Sequence, residues 1–487
     1  MASFLEKIIS KRIIIRVVCG FFYIQLLIFI ENGEIMKKTY TMDLCEGSIL
    51  KKLLLFALPL IASSVLQLFF NAADVIVVGQ FAGDNSLAAV GSNGSIINLL
   101  TNVFMGLSIG ANVLVARYFA AKEEEALRKT VHTAITVSVI CGALLAVVGA
   151  LAAKQLLIWM QSPAEVIDLA TVYLRIYFLG SPAMLLYNFG AAILRGVGDT
   201  RRPLYYLSFA GVVNVVLNLI FVVFFKMDVA GVALATVISQ CVSALLVVRC
   251  LVREESAIRL MKEYLGIDKT TLFRIIQIGL PAGIQGSLFS LSNVVIQSSV
   301  NSFGNIVVAG NSAASNIEGF AYVGMNAFAQ AIVAFVSQNV GAGKYERVNK
   351  IVITTMLCVF AVGLVLGNGI YLLGEPLLHM YSDSEIVIAA GMKRLVFIST
   401  TYFLCGMMDT MVGALRGLGY SIMPMIVSLL GACAFRIAWI SVFFQMEQFH
   451  IIDTVYIAYP ISWLLTLSVH ILCFVVVRWR MKKKWGR

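Results

Sequence analysis

Among the charged residues inside long apolar runs, Asp74, Glu318, Asp409 and Arg436 stand out. A carboxylate at mid-bilayer depth costs at least ~2.5 kcal/mol to insert, so such a group is usually kept for function. Asp74 is the most isolated. It sits in Asn71-Ala72-Ala73-Asp74-Val75-Ile76-Val77-Val78, within a segment that is apolar from Leu53 to about Phe81. Two readings fit it. It ties helices together by hydrogen bonds, or it handles an ion or a proton, and the insertion cost favours the second. Gln67 and Asn71 share its helix face, in steps of four and three residues, and are placed to line the same site or to hold water. Asn214 and Asn218 are four apart, hence also on one face. Their plain reading is hydrogen bonding between helices, worth ~0.6 kcal/mol on average in membranes.

These residues need helices to hold them, and the composition says which kind. The chain has 487 residues, 60% hydrophobic and 13% charged, far from the ~25% charged of a soluble protein. Apolar runs of about 20 residues recur along it, so the expected class is an all-α polytopic membrane protein. The net charge of +11 does not signal nucleic acid, because the basic residues cluster in alternate loops. The nine cysteines are scattered, mostly inside spans and without a C-x-x-C, and read as small core residues. No histidines are spaced as ligands, and no Ser-His-Asp set or carboxylate pair is legible, so neither a metal centre nor an enzyme is expected.

Twelve spans are expected, at about 50–81, 88–119, 130–152, 165–195, 203–225, 230–250, 272–300, 307–339, 351–374, 386–415, 420–444 and 454–478. Basic loops such as Arg117–Lys129, Arg195–Arg202, Lys344–Lys350 and Arg478–Arg487 fall on one side, which predicts cytoplasmic termini. The even span count predicts the same. Residues 1–41 read as an N-terminal extension. Its apolar run Ile8–Ile30 is an extra anchor, a signal-like segment, or sequence upstream of a start at Met36-Lys37-Lys38. The remainder divides into an N-lobe at 42–250, a polar amphipathic linker at 251–271 and a C-lobe at 272–487 with a basic tail.

The two halves repeat each other. Ala192-Ile193-Leu194-Arg195-Gly196-Val197-Gly198 returns as Gly413-Ala414-Leu415-Arg416-Gly417-Leu418-Gly419, 221 residues later, and Pro203 and Pro424 share that offset. Six spans per half make these parallel repeats about an axis along the membrane normal, with a cavity between them. Rocking of two lobes suits a transporter, whereas a channel needs no such split. Val340-Gly341-Ala342-Gly343-Lys344 resembles a phosphate loop only superficially, because no strand precedes it and no Ser or Thr follows the lysine.

With these residues in place, the chain resembles the multidrug and toxic compound extrusion (MATE) family. The carriers are Leu58-Pro59 with Asn71-Ala72-Ala73-Asp74, the two Leu-Arg-Gly-x-Gly turns, Gln338-Asn339-Val340-Gly341-Ala342-Gly343 and Gly231-Val232-Ala233-Leu234-Ala235-Thr236, and the likeness covers about 42–480. It implies twelve transmembrane helices in two six-helix lobes related by pseudo-two-fold symmetry. It also implies an antiporter that exports drugs or organic cations for inward Na+ or H+. The resemblance carries a cation site onto Asp74, Asn214, Asn218 and Thr236. An oxygen set of one carboxylate, two amides and a hydroxyl suits a hard monovalent cation. Asn218 departs from the second aspartate of many relatives, which leaves open whether Na+ or a proton answers Asp74.

The C-lobe has no counterpart of Asp74; that slot falls near Ile296. Glu318 there either attracts cationic drugs or bridges to Arg436. Asp409 lies about one turn beyond the acid that relatives carry in the tenth helix. Aromatic and methionine side chains such as Phe320, Tyr322, Met325 and Tyr402 suit an adaptable wall, although helix packing explains most of them. The alternative in the same superfamily is a lipid-linked oligosaccharide flippase. Its cavity needs several cations, for which Arg436, Arg175, Lys393 and Arg394 are the only candidates. A membrane-embedded enzyme is the more distant alternative. The expected setting is a bacterial inner membrane, with the protein a multi-pass monomer among lipids. No cofactor is expected beyond the coupling ion, and no nucleic-acid partner.

Overall fold

The computed structural model describes residues 40–160 and 163–485, and these are all helix and connecting turns, without a strand. The Ile8–Ile30 run of the extension lies outside the described residues. Among the described residues, ten helices are long and apolar enough to cross a membrane, or twelve if two bent pairs each count as one span. We number the crossings α1 to α12. The first half holds α1 (Ile49–Phe81), α2 (Asp84–Ala121), α3 (Glu124–Trp159), α4 (Ala164–Leu179 and Ser181–Gly196), α5 (Arg201–Phe224) and α6 (Asp228–Arg253). The second holds α7 (Lys269–Asn301), α8 (Asn305–Gly341), α9 (Tyr345–Leu372), α10 (Glu385–Ile398 and Tyr402–Gly417), α11 (Ile422–Val442) and α12 (Ile452–Trp485).

Two irregularities occur once in each half. The α4 and α10 pairs each bend by 47°. In α4 the cause is local: Pro182, which lacks an N–H, opens the second segment behind Gly180. Gly180 also packs so tightly that a Cβ there would lie 2.7 Å from Val237 Cγ2. In α10 the break spans Ser399–Thr401, where the Thr401 hydroxyl bonds back to Phe397 O at 2.6 Å and competes with the helix ladder. The second irregularity is a π-helical turn, Leu219–Phe224 in α5 and Leu429–Ala434 in α11. Such turns gather at functional sites. Here one follows Asn218 directly and the other ends two residues before Arg436.

Glycines set how closely the halves approach. Where α2 crosses α7, a Cβ on Gly106 would lie 2.2 Å from Gly283 N, and one on Gly283 would lie 2.4 Å from Val103 O. Backbone meets backbone, the packing expected of small residues in a bilayer. Further contacts join the halves toward the face that carries the basic loops. Gln338 donates to Gly196 O at 2.8 Å and accepts from Leu44 N at 3.1 Å. Asn339 donates to Leu44 O at 3.1 Å, and Arg117 donates to Gly417 O at 3.3 Å. Nearer the middle, Ser287 donates to Leu99 O at 2.9 Å. Leu44, Leu53, Phe56 and Leu60 are buried in the core of the second half, while Val77 and Val78 join the core of the first. So α1 leans across the interface.

The linker after Arg253 is a docked strap and not a loose connector. Ile258 and Leu260 are buried in the core of the first half. The His132 ring, on α3, donates from Nδ1 to Arg128 O at 2.8 Å and accepts from Met261 N at 3.0 Å through Nε2. Both bonds together demand the neutral Nδ1–H tautomer. We expect His132→Ala to cost about 1–3 kcal/mol, because it orphans the Met261 N–H. Thermal unfolding in detergent would show the loss, and trypsin would cut faster at Arg259 and Lys262. An unchanged cleavage rate would mean that Ile258 and Leu260 hold the strap alone.

Candidate functional site

In the first half, three helices bring one carboxylate, two amides and a hydroxyl together. Asp74 comes from the last third of α1, Asn214 and Asn218 from one face of α5, and Thr236 from α6. Asn218 Nδ2 donates to Asp74 Oδ1 and also to Asn214 Oδ1, the latter at 3.2 Å. Asn214 Nδ2 donates to Thr236 Oγ1 at 3.3 Å, and Thr236 Oγ1 donates to Val232 O at 3.0 Å. The π-turn beginning at Leu219 follows at once, so the ladder that would continue past Asn218 is already shifted. All four residues singled out in the sequence therefore meet.

The polarity of the cluster decides what it can take. Every donor is committed inward, while Asn218 Oδ1 is buried without a hydrogen-bond donor. A buried carbonyl oxygen beside a carboxylate is a pair of lone pairs waiting for a positive charge. A bare monovalent cation or a proton fits, and the oxygen donors match a hard ion. Tyr173 and Tyr177 of α4 lie within electrostatic range of Asp74. Gln67 and Asn71 are exposed on α1 and stay outside this network.

The second half arranges its charges differently. Glu318, 2% exposed on α8, is clamped by Arg394 of α10, whose Nε and Nη2 reach Oε2 at 3.1 and 2.8 Å. Ser399 donates to the other oxygen at 3.5 Å. Arg394 Nη1 donates to Asn311 Oδ1 at 2.7 Å, and Tyr456 donates to the same oxygen at 3.3 Å. This corrects the sequence reading of Glu318 on both counts. Its bridge runs to Arg394 and not to Arg436, and a carboxylate so engaged is not left to attract drugs. Arg436 lies over the rings of Tyr459 and Trp463, 4.2 and 5.5 Å from their centroids, and donates from Nε to Ser462 Oγ at 2.7 Å. Aromatic faces take the place of a carboxylate for it.

Asp409 faces α8 rather than its own half's arginines. Tyr322 donates to its Oδ2 at 3.3 Å, while Arg416 turns to Gln285 at 2.9 Å. Aromatic rings extend from there: Tyr322 stacks on Tyr402, and Tyr402 meets Trp463. Between the halves, Phe69 of α1 approaches Phe320 of α8 at 6.5 Å, and both are about half exposed. Sequence reasoning missed the Arg394–Glu318–Asn311 network, because Arg394 was legible only as one of several intramembrane cations. It also missed a loose exposed group, Glu375, His379 and Glu385, whose ligand atoms lie within 4.8 Å of one another.

Comparison with known proteins agrees with the repeat. Two stretches, 59–220 and 281–440, match the MatE family model, one in each half. The chain is 26% identical over 429 residues to the probable multidrug resistance protein YoeA of Bacillus subtilis, covering 87% of this chain and 92% of that protein. It is 25% identical over 395 residues to the probable multidrug resistance protein NorM of Thermotoga maritima, covering 80% and 84%. A solved structure described as the outward-facing conformation of a multidrug resistance MATE family transporter of the MOP superfamily shares the fold. Its TM-score is 0.84 at 22% identity, covering 92% of this chain and 100% of that one. With both repeats matched over well more than half of its length, this multi-pass membrane protein belongs to the MatE family.

Proposed function

We propose that the protein is a secondary active antiporter that exports organic cations or other drugs across the bacterial cytoplasmic membrane, driven by Na+ or H+ moving inward. The observation that carries this reading is the oxygen cluster at Asp74, in which Asn218 gives its amide N–H to the carboxylate and keeps its own amide oxygen buried without a donor. The multidrug resistance names of its relatives support small organic substrates. The basic face is the cytoplasmic one by the positive-inside rule, which puts both termini inside. The clasp between the halves then lies on the cytoplasmic side, and rocking about it exposes the gap to each side in turn. The coupling ion binds at Asp74, Asn214, Asn218 and Thr236. The substrate lies in the gap, between Gln67 and Asn71 on α1 and Asp409, with Arg436 behind the aromatic wall of the second half.

The flippase alternative needs free cations in the cavity. Arg394 is taken up by Glu318, and Lys393 pairs with Asp453 at 3.2 Å, which favours the antiporter. The test is uptake of a fluorescent organic cation into inverted membrane vesicles, with Na+ and pH gradients imposed separately. One gradient should drive accumulation. Indifference to both would overturn the antiporter reading.

A further inference from the structure

A single line of hydrogen bonds runs from the first half of the molecule to the carboxylate of Asp409. Arg195 Nη1, at the end of α4, donates to Gln330 Oε1 at 2.9 Å. Gln330 Nε2 donates to Asn326 Oδ1 at 2.8 Å, and Asn326 Nδ2 donates to the Tyr322 hydroxyl oxygen at 3.2 Å. Tyr322 donates its hydroxyl hydrogen bond to Asp409 Oδ2 at 3.3 Å. The three middle residues are four apart on α8, so they form one stripe about 12 Å long. Of these links only the first crosses between the halves, and it does so beside the clasp made by Gln338 and Gly196.

The direction of this line is fixed by its ends. A guanidinium has donors only, so Gln330 must turn its oxygen to Arg195 and its NH2 to Asn326. Asn326 must do the same one turn on, which leaves the Tyr322 hydroxyl to donate outward from the line, and the acceptor it meets is Asp409. A carboxylate is acceptor-only while ionised. Each bond polarises the next, and a charged acceptor makes its bond roughly twice as strong as a neutral one. The other charge within range of Asp409 is Arg416, which is held by Gln285, and Tyr322 is the facing group from α8.

We propose that Tyr322, Asn326 and Gln330 are positioning residues that report the charge on Asp409 to Arg195, across the interface. While Asp409 is negative, the line holds Arg195 on α8 and the clasp stays shut. When a bound proton or substrate cation occupies the carboxylate, the line's terminal acceptor loses its negative charge, the charge-assisted bond from Tyr322 weakens to a neutral one, and the halves separate more easily on the basic face. This rests on the antiporter reading for its purpose, but its physics does not require transport.

The reporter is the Leu44 amide, which donates to Gln338 within the clasp. Hydrogen–deuterium exchange of the full chain in lipid nanodiscs should show it opening about 5-fold more often in Asp409→Asn, at the low end of typical couplings between sites. Tyr322→Phe, which removes only the hydroxyl, should do the same and stands in if the first variant fails to fold. Gln330→Glu gives Arg195 a carboxylate directly, so in that background Asp409→Asn should no longer change exchange at Leu44. A merely structural role for Asp409 would not be silenced that way. Leu44 exchange unchanged in both Asp409→Asn and Tyr322→Phe overturns the proposal, as does an Asp409→Asn effect that survives Gln330→Glu. The vesicle assay separates the two claims. Gradient-driven accumulation with unchanged exchange sinks the relay alone, while altered exchange with no gradient response even in the wild type sinks the antiporter alone.

Discussion

Asp74→Asn should abolish gradient-driven efflux while leaving the protein folded in the membrane. The substitution keeps the shape, and an amide oxygen at the same place still accepts from Asn218 Nδ2. What disappears is the only negative charge that the cluster offers. Truncating one partner of a buried, hydrogen-bonded charge pair costs about 2–5 kcal/mol, so affinity for the coupling ion should fall at least roughly 30-fold. Folding stability should move little, because a buried carboxylate is itself expensive. Vesicles carrying the variant should show no accumulation under either gradient, with an unfolding midpoint close to the wild type. Accumulation at the wild-type rate would mean that coupling resides elsewhere.

The largest effect on stability is expected at the Glu318–Arg394 pair. Removing one partner of a buried ion pair leaves an uncompensated charge and costs about 3–5 kcal/mol. Glu318→Ala strands Arg394, which is engaged through three nitrogens. Arg394→Met strands Glu318. The double variant Glu318→Met with Arg394→Met should cost much less than either single change, since no charge is then left unpaired. Thermal unfolding of the purified proteins measures all three. Equal or additive losses would show that the pair is not the unit of stabilisation.

How much of this was legible in the sequence follows from the reach of each signal. The twelve crossings were readable because burying backbone in lipid demands long apolar runs, and most helix ends fall close to those runs, with α3, α9 and α12 running six or seven residues further at an end. The bend in α4 was written in Gly180-Ser181-Pro182 but not read. Asn214 and Asn218 were legible as a face because four residues make nearly one turn. Their closeness to Asp74 and Thr236 came through family resemblance, since local spacing says nothing about which helices touch. Arg394 shows the limit: its partner lies 76 residues away, and composition cannot choose between that carboxylate and another. The π-turns leave no pattern in hydropathy, because one extra residue per turn shifts no apolar run. The docked linker was hidden for a related reason, as two buried side chains in a polar stretch do not mark it as a strap.

The lean of α1 across the interface has a consequence for how the chain is made. Leu44 is held by Gln338, which is synthesised 294 residues later. At about 5–20 residues per second a ribosome needs roughly 15–60 s to cover that distance. Asp74 waits a shorter time for Asn218, 144 residues on. Through this interval α1 stands in the bilayer with one side undressed and its carboxylate unescorted. The nascent protein must shelter α1 until α8 emerges.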